Sequence, residues 1–257
     1  MKLGVLVNVD SFNEFEWIEE FANKSKTVCR VGIRLNFNLT DSPSRFGIDI
    51  DDKMIKQIIA RSASSKFICL ESFHYHYASR DLSTWKICMD KFISFLSMID
   101  FKTYKDLKYI SVGGGIFSRM NSYLQDQLSS DIPSFDDYAE NSIKRLSGYI
   151  KKQANFNSVK PEILIEPGTA LASKSIDFAV QVISIKKINN ISYINTTGSK
   201  YNMNPSANRI NSEIEILNFN SKNLIEVKNA KLCGYTCIES DIIHNNFTGK
   251  ISIGDMI

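Results

Sequence analysis

The pattern of apolar and polar positions predicts strands that alternate with helices over the first 175 residues. Short, nearly continuous apolar runs are typical of strands buried on both faces, and the apolar residues between them recur at helical spacing. Such alternation predicts an α/β fold with a parallel sheet and right-handed crossovers. At the first helix, Ser11 and Glu14 fit a capping box. The predicted strands cover residues 3–9, 28–36, 66–74, 109–112 and 162–166, and the predicted helices begin after Ser11, at Asp51 or Asp52, near residue 83 and near residue 135.

After about residue 175 the pattern changes to strands with no convincing helices between them. We therefore predict two domains, residues 1–175 and residues 176–257, of which the second is all-β and incomplete. Its strand-like segments are Phe178–Lys187, Ser192–Asn195, Glu213–Asn218, Leu224–Leu232 and Ile251–Ile257.

Composition excludes several classes of function. The 257 residues are 43% hydrophobic and 23% charged, which is ordinary for a globular protein. A net charge of +3 without a Lys/Arg run argues against nucleic acid as a partner, and no apolar run reaches the roughly 18 residues that span a bilayer. The five cysteines form no C-x-x-C pair, so we expect reduced thiols in a cytoplasmic protein and no metal site.

Three consecutive glycines, Gly113, Gly114 and Gly115, follow the fourth predicted strand directly. Glycine adopts backbone angles closed to other residues and lets another group approach the backbone. Such a turn can direct its amides into one small space and bind an anion, phosphate above all. A tight turn without a ligand explains the triplet equally well, so the surrounding residues have to decide.

Polar residues come directly after three neighbouring predicted strands. His74, His76 and Ser79 follow the third strand, the glycines follow the fourth, and Glu166 closes the fifth. In a β/α barrel the carboxyl ends of the strands form the active-site face, so these residues should meet there. We call this set the strand-end rim. Its composition favours a functional site over a ligand-free turn.

Several motifs resemble those of the fold-type III pyridoxal 5′-phosphate (PLP) decarboxylases, the group of diaminopimelate, ornithine, arginine and carboxynorspermidine decarboxylases. They occur in the family's order and span nearly the whole chain. The resemblance implies a partial (β/α)8, TIM-like barrel of the alanine-racemase type followed by an all-β domain. The motifs are Ser44-Arg-Phe-Gly47 (similar to S-K-F-G), Phe73–Ser79 (H-x-H-x-G-S), Gly113–Gly115 (G-G-G), Ile165–Gly168 (E-P-G-R), Gly234–Asp241 (G-P-x-C-x-x-x-D) and Ile253–Asp255 (G-D).

The resemblance implies a cofactor site at the strand-end rim. His76 would stack on the PLP ring, and Glu166 would pair with the protonated pyridine nitrogen, which stabilises the ring as an electron sink. Arg34, on the second strand, is a further candidate to reach the cofactor. The phosphate would be held by Ser79, Gly113, Gly114, Gly115 and the E-P-G glycine, Gly168.

The resemblance also implies catalytic residues in the β domain. Cys237 would supply or relay the proton that replaces the lost carboxylate, and Glu239 or Asp241 would read the distal amine of the substrate. Since that cysteine enters the partner's active site in the family, a homodimer with shared sites is implied. Each residue has a plainer interpretation: His74 is structural, Glu166 caps a turn, and Cys237 is a small buried side chain.

Three residues depart from the family pattern. Thr169 stands where the family has Arg after E-P-G, so a guanidinium that could fork onto a carboxylate or phosphate is absent there. Another residue has to serve, or substrate binding differs. Ala78 replaces Gly before Ser79, and Arg45 replaces Lys with its charge kept.

The expected barrel is also short of strands. Five are predicted where a closed barrel needs eight, so we expect roughly 100 residues to be missing from the front, including the lysine that forms the Schiff base with PLP. A phosphate-binding tyrosine would follow in a missing tail. Lys66, Lys108 and Lys160 come at strand starts, on the opposite rim, and cannot replace that lysine.

The sequence therefore predicts PLP-dependent decarboxylation of an amino acid, of the diamino or basic kind, with little or no turnover by this chain alone. The expected partners are the amino-acid substrate and either a second copy or a complementing polypeptide that carries the front strands. A non-catalytic homologue that dimerises with a decarboxylase and regulates it is an alternative. An amino-acid racemase of the same fold is another, against which the Cys237 motif argues.

Overall fold

A computed structural model describes residues 4–41, 43–99, 106–128, 131–153, 160–173, 175–203, 211–219 and 223–257. The chain divides into two compact units. The first comprises residues 1–118 and 133–172, and the second comprises residues 119–132 and 173–257. The segment 119–132 thus groups with the later part of the chain, although it lies between helices and strands of the first unit.

The first unit is built on a parallel sheet whose strands follow one another in chain order. Neighbours along the sheet are β1, β2, β4, β5 and β6, and β3 pairs with the end of β2. A doubly wound sheet reverses direction at a switch point, whereas this uninterrupted succession is that of a β/α barrel. The strands are β1 (Leu6–Val9), β2 (Cys29–Asn36), β3 (Ile48–Asp49), β4 (Ile68–His74), β5 (Tyr109–Ser111) and β6 (Glu162–Leu164).

The helices begin where their capping residues allow. The Ser11 hydroxyl accepts from the Glu14 amide at 3.2 Å, but the Glu14 carboxylate accepts from Asp10, not from Ser11, so only half of the predicted capping box forms. Asp52, not Asp51, caps the second helix. The helices are α1 (Phe12–Ser25), α2 (Lys53–Ser64), α3 (Leu82–Ser97), α4 (Ser122–Gln125), α5 (Phe135–Asn141), α6 (Ile143–Lys152), α7 (Gly168–Ala172) and α8 (Lys200–Met203).

The single helix predicted over residues 135–153 is wrong. The backbone leaves the helical region at Ser142, whose φ and ψ are −129° and −80°, and this divides the segment into α5 and α6. The Ser142 hydroxyl donates to the Tyr138 carbonyl at 2.6 Å and so bonds to the preceding turn.

Aromatic side chains packed between α3 and the ends of β2 and β4 support the backbone of the strand-end rim. Phe37, Tyr75 and Phe92 form a buried cluster with ring centroids 5.0–6.0 Å apart. The Tyr77 hydroxyl accepts from the Phe37 amide at 2.6 Å and donates to Asn36 at 2.9 Å. The backbone that follows β4 is therefore anchored on both sides of His76, by Tyr75 and Tyr77.

The second unit contains a four-stranded sheet in the order β10-β9-β8-β7. Its pairs are antiparallel except for β8 with β9, which is parallel. Its core includes Val182, Ile194, Leu232 and Phe247. None of the helices in the described ranges is long and apolar enough to cross a membrane. The strands are β7 (Val182–Ile188), β8 (Ile191–Thr196), β9 (Ile225–Cys233) and β10 (Ile242–Ile251).

The strand predicted at Ile251–Ile257 is wrong. The last strand is β10, which ends at Ile251, and beyond it only Met256 makes isolated bridges, with Gln181 and Leu217. The strand predicted at Glu213–Asn218 likewise contributes only the bridge of Leu217. Register shifts along β10 and a left-handed Asn246 interrupt its apolar alternation, which explains why the pattern did not reveal it.

Candidate functional site

The polar residues at the strand ends are brought together by the register of the parallel sheet. Arg34 pairs with His74, and His74 pairs with Ser111, so the three side chains share one face near the carboxyl ends of β2, β4 and β5. The Arg34 guanidinium contacts the His76 carbonyl at 3.5 Å. The register of the sheet therefore brings His74, His76 and the glycines together on one rim, as the sequence predicts.

The glycine loop is packed tightly between two strand ends. A Cβ added at Gly113 would lie 2.5 Å from the Tyr75 carbonyl oxygen, and one added at Gly114 would lie 2.2 Å from that of Glu166. At Gly115 the same atom would lie 2.5 Å from the Ser79 carbonyl oxygen. Gly113 and Gly115 also have positive φ, +69° and +87°. Packing alone therefore requires glycine at all three positions, so the triplet by itself does not indicate a ligand.

His74 and Glu166 lie against each other at the rim. His74 Nε2 lies 3.4 Å from Glu166 Oε1, and the histidine is 6% exposed whereas the glutamate side chain is 48% exposed. Burial lowers the pKa of His74, against the opposing effect of Glu166, while Arg34 and His76 add to the lowering. Among the described residues neither ring nitrogen of His74 has an aligned hydrogen-bond partner. A neutral imidazole thus faces a carboxylate whose other side is open.

The Ser79 hydroxyl forms its hydrogen bonds within its own loop and with the start of α3. The Ser79 hydroxyl lies 3.1 Å from both the Asp81 carboxylate and the Thr84 hydroxyl, and it accepts from the Asp81 amide at 3.2 Å. The Trp85 indole donates to the Gly115 carbonyl at 3.2 Å and ties the glycine loop to α3. A cavity of about 10 Å³, lined by Ser79, Trp85 and Gly114 among others, has room for one water at most. A ligand would therefore have to bind on the solvent-exposed side of the loop.

Two further residues complete the rim: His76, two residues after the end of β4, and Arg34, on β2. His76 Nδ1 lies 3.1 Å from the Tyr77 carbonyl and is only partly buried. Arg34 lies 3.5 Å from the Asp10 carboxylate, and its guanidinium stacks 4.6 Å from the Phe46 ring. Asp10 comes directly after β1, the same signal that identified Glu166, and the sequence interpretation passed over it.

The predicted catalytic residues of the second unit differ in exposure. Cys237 and Glu239 are exposed, whereas Asp241 is 3% exposed. Asp241 accepts from the Ser199 hydroxyl at 2.9 Å and from the Thr236 hydroxyl at 2.7 Å. Burial opposes ionisation of Asp241, but the hydrogen bonds it accepts outweigh burial and lower its pKa. Asp241 therefore holds the Gly234–Asp241 turn together, and its carboxylate is already satisfied.

The structure gives no sign of a metal centre in the part of the chain that it describes. No three His, Cys, Asp or Glu side chains there are grouped to hold an ion. All five cysteines are described, and none forms a disulfide.

Comparison with known proteins agrees with this geometry. Residues 1–173 match the family model described as pyridoxal-dependent decarboxylase, pyridoxal binding domain. Diaminopimelate decarboxylase of Bacillus methanolicus is 24% identical over 203 residues, which are 74% of this chain and 44% of that protein. The chain spans about half the length of the curated relatives that it matches.

Solved structures show the same fold. Diaminopimelate decarboxylase from Helicobacter pylori, complexed with L-lysine, aligns with a TM-score of 0.73 at 22% identity and covers 97% of this chain and 60% of its own. Arginine decarboxylase of Paramecium bursaria Chlorella virus aligns with a TM-score of 0.68 at 17% identity, covering 98% and 64%. The predicted fold class, a partial barrel followed by a β domain, is confirmed.

The motifs in the sequence, the strand-end rim and a family match over most of the chain lead to one assignment. The chain belongs to the pyridoxal-dependent decarboxylases, whose cofactor is PLP.

Proposed function

We propose that this chain holds the phosphate and ring of PLP for the decarboxylation of a diamino or basic amino acid. The observation that carries the proposal is the contact between Glu166 and His74 beside the glycine loop. Several relatives of the chain are diaminopimelate decarboxylases, and one solved structure of such an enzyme is complexed with L-lysine. Since the chain spans part of their length, the activity of the whole protein is part of the proposal.

The residues of the rim fit the cofactor. Glu166 presents a carboxylate that is 48% exposed, opposite a buried imidazole without an aligned partner, and this suits a cationic ring nitrogen. His76 would lie against the ring face, and Arg34 would stand near its polar edge. The phosphate would be held by Ser79, Gly113, Gly114, Gly115 and Gly168. When bound, PLP supplies the electron sink for the carbanion.

The chain's own residues then set the charge of the site. Because burial lowers the pKa of His74, this histidine is neutral near pH 7 and does not cancel the charge of Glu166. The His74 ring lies 3.4 Å from the Glu166 carboxyl group and limits the positions that this side chain can adopt. We therefore propose that Glu166 pairs with the pyridine N–H and that His74 acts as a positioning residue.

In the second unit, we propose that Cys237 delivers the proton that replaces the carboxylate and that Glu239 reads the distal amine. Both side chains are exposed, as a group that meets a substrate must be. Asp241, already satisfied by its own turn, would shape the loop that presents them. Exposure of Cys237 also suits its entry into a partner's site in a homodimer. Five unpaired thiols fit a cytoplasmic location.

We further propose that this chain alone turns over little or no substrate. Lys66, Lys108 and Lys160 precede β4, β5 and β6 and so belong to the amino ends of the strands. Lys108 is bonded to Glu71 at 2.8 Å. These lysines lie away from the rim where the cofactor carbonyl would have to be attached.

Borohydride reduction tests both parts of this proposal. The chain is incubated with PLP, reduced, and weighed by intact-mass spectrometry, while PLP binding is followed by absorbance before reduction. We expect reversible binding without a stoichiometric adduct. A stoichiometric adduct on one lysine of this chain would contradict the predicted inactivity. Failure of PLP to bind, or binding that is unchanged in Glu166→Gln, would contradict the cofactor site.

A further inference from the structure

We propose that Arg80 supplies the positive charge that fixes the cofactor phosphate at the glycine loop, an inference that rests on the cofactor site proposed above. Arg80 directly follows Ser79, and its Nη2 lies 3.3 Å from the Thr169 hydroxyl. Thr169 is the second residue of α7, immediately after Gly168. The guanidinium therefore joins the loop after β4 to the turn after β6, and the glycine loop of β5 lies between these strands in the sheet.

Arg80 is exposed, and the groups that contact it do not neutralise its charge. Its backbone carbonyl accepts from the Tyr138 hydroxyl at 2.5 Å, which fixes the residue against α5. Its guanidinium stacks 5.3 Å from the Phe117 ring. Among the described residues no carboxylate lies within ion-pairing distance of it. An oriented guanidinium without a counter-charge is suited to an anionic ligand.

The three segments that Arg80 connects already touch one another. Gly115 packs against the Ser79 carbonyl, and Gly114 packs against that of Glu166. A phosphate at these amides would also meet the Asp81 carboxylate, which lies 3.1 Å from the Ser79 hydroxyl. Because Asp81 repels an anion, amides and a hydroxyl need an additional cation there, and Arg80 is the adjacent residue.

This assignment also accounts for Thr169. The sequence has a threonine where the resemblance led us to expect a guanidinium, and the structure places the guanidinium of Arg80 against that threonine. The cation is thus carried by the loop after β4 instead of the turn after β6. The Thr169 hydroxyl accepts a hydrogen bond from Arg80 and orients it.

The test compares PLP with pyridoxal, which lacks the phosphate, by equilibrium binding to the intact chain. Loss of one charge-assisted contact should weaken PLP binding by about 10- to 100-fold in Arg80→Gln and leave pyridoxal binding unchanged. Arg80→Lys should lie between wild type and Arg80→Gln. The double variant Arg80→Gln/Thr169→Arg restores a guanidinium from the opposite side and should regain most of the affinity. Lys151→Gln, an exposed charge on α6, is the matched control and should bind as wild type does.

The outcomes separate this inference from the cofactor site itself. If wild type binds PLP no better than pyridoxal, the proposed phosphate site fails and the role of Arg80 with it. If wild type prefers PLP and Arg80→Gln keeps that preference, the cofactor site stands and the role of Arg80 is wrong. Equal loss of PLP and pyridoxal in Arg80→Gln, with the double variant not recovering, also overturns it. Thermal melts of each variant identify unfolding.

Discussion

His74 and Glu166 lie 3.4 Å apart at the strand ends, and the histidine is buried whereas the glutamate is half exposed. Burial lowers the pKa of His74, and Glu166 counteracts part of that lowering. Burial of His74 thus favours a neutral imidazole beside the carboxyl group of Glu166.

Removal of the Glu166 charge should lower the pKa of His74 further. In Glu166→Gln the imidazole loses the nearby negative charge that favours its protonated form, while its burial is unchanged. NMR titration of the three histidine rings measures this directly. His244, whose pKa burial also lowers, is in the second unit and serves as the internal control. A His74 pKa that rises or stays constant in the variant would refute the coupling.

A second residue-scale prediction concerns Glu71, which is 2% exposed and bonded to Arg30 at 2.6 Å and Lys108 at 2.8 Å. Burial opposes ionisation, but these two partners outweigh it and lower the pKa of Glu71. Glu71→Gln should reduce the free energy of unfolding by about 1–2 kcal/mol at pH 7, a modest value because both cations are partly exposed.

The loss of unfolding free energy caused by Glu71→Gln should depend on pH. A carboxyl with a lowered folded pKa stabilises the protein above its unfolded value, near about 4.3, and loses that contribution as the pH falls through the folded pKa. Urea denaturation at a series of pH values should show wild type and variant converging below about pH 4. Glu140→Gln, at an exposed pair with Lys144, should change stability by less than about 0.5 kcal/mol. A difference that grows on acidification would contradict the ion pair.

At the scale of elements, the glycine loop shows how close packing of the backbone can require glycine at a given position. Gly114 lies where a Cβ would be 2.2 Å from a backbone oxygen of Glu166, so β6 can approach the loop only if the residue is glycine. Gly148 of α6 has no described atom within 4 Å of such a Cβ. The two positions form a matched pair.

We expect Gly114→Ala to destabilise the first unit by about 1–3 kcal/mol, since backbone has to move to admit the methyl group. Gly148→Ala should stabilise it by about 0.5–1 kcal/mol, because alanine loses less conformational freedom in a helix. Thermal or denaturant unfolding of both variants measures the contrast. Similar effects at the two positions would show that the loop is not tightly packed.

The sequence could predict most of the rim and less of what supports it. His74, His76, Ser79 and Glu166 follow apolar strands, and parallel strands present their carboxyl ends at one edge, so their proximity follows from order alone. The contacts of Arg80 with Thr169 and Tyr138 join residues 89 and 58 positions apart. Such contacts depend on side-chain reach in three dimensions. In β10, bulges removed the alternation on which prediction depends.

At the scale of the whole molecule, both edges of the parallel sheet carry exposed apolar side chains. Beside β1, a groove of about 460 Å³ is lined by residues of β1 and α1, and Trp17 is 67% exposed there. At the other edge Leu164 and Ile165 are 40% and 48% exposed. Parallel sheets are normally covered, and open apolar edges invite association. Continuation of the barrel at either edge would bury these residues.

The β1 edge should therefore make the isolated chain associate as its concentration rises. Trp17→Glu places a charge in the groove and should shift sedimentation velocity profiles towards the monomer. Met98→Glu, which is 68% exposed at the end of α3 and does not line the groove, is the control. Equal effects of the two substitutions would mean that general surface charge, not this edge, governs association.

The hydrogen bond from Trp85 to Gly115 gives the molecule an optical reporter of its glycine loop. The chain has two tryptophans, and in Trp17→Phe the buried indole of Trp85 would be the sole emitter at long wavelength. A ligand that shifts the glycine loop would change the electric field along the indole N–H of Trp85 and hence the wavelength of its fluorescence. In wild type, Trp17 would report in the same spectrum on coverage of the β1 edge. Ligand binding at the glycine loop and coverage of the β1 edge can thus be followed without an added label.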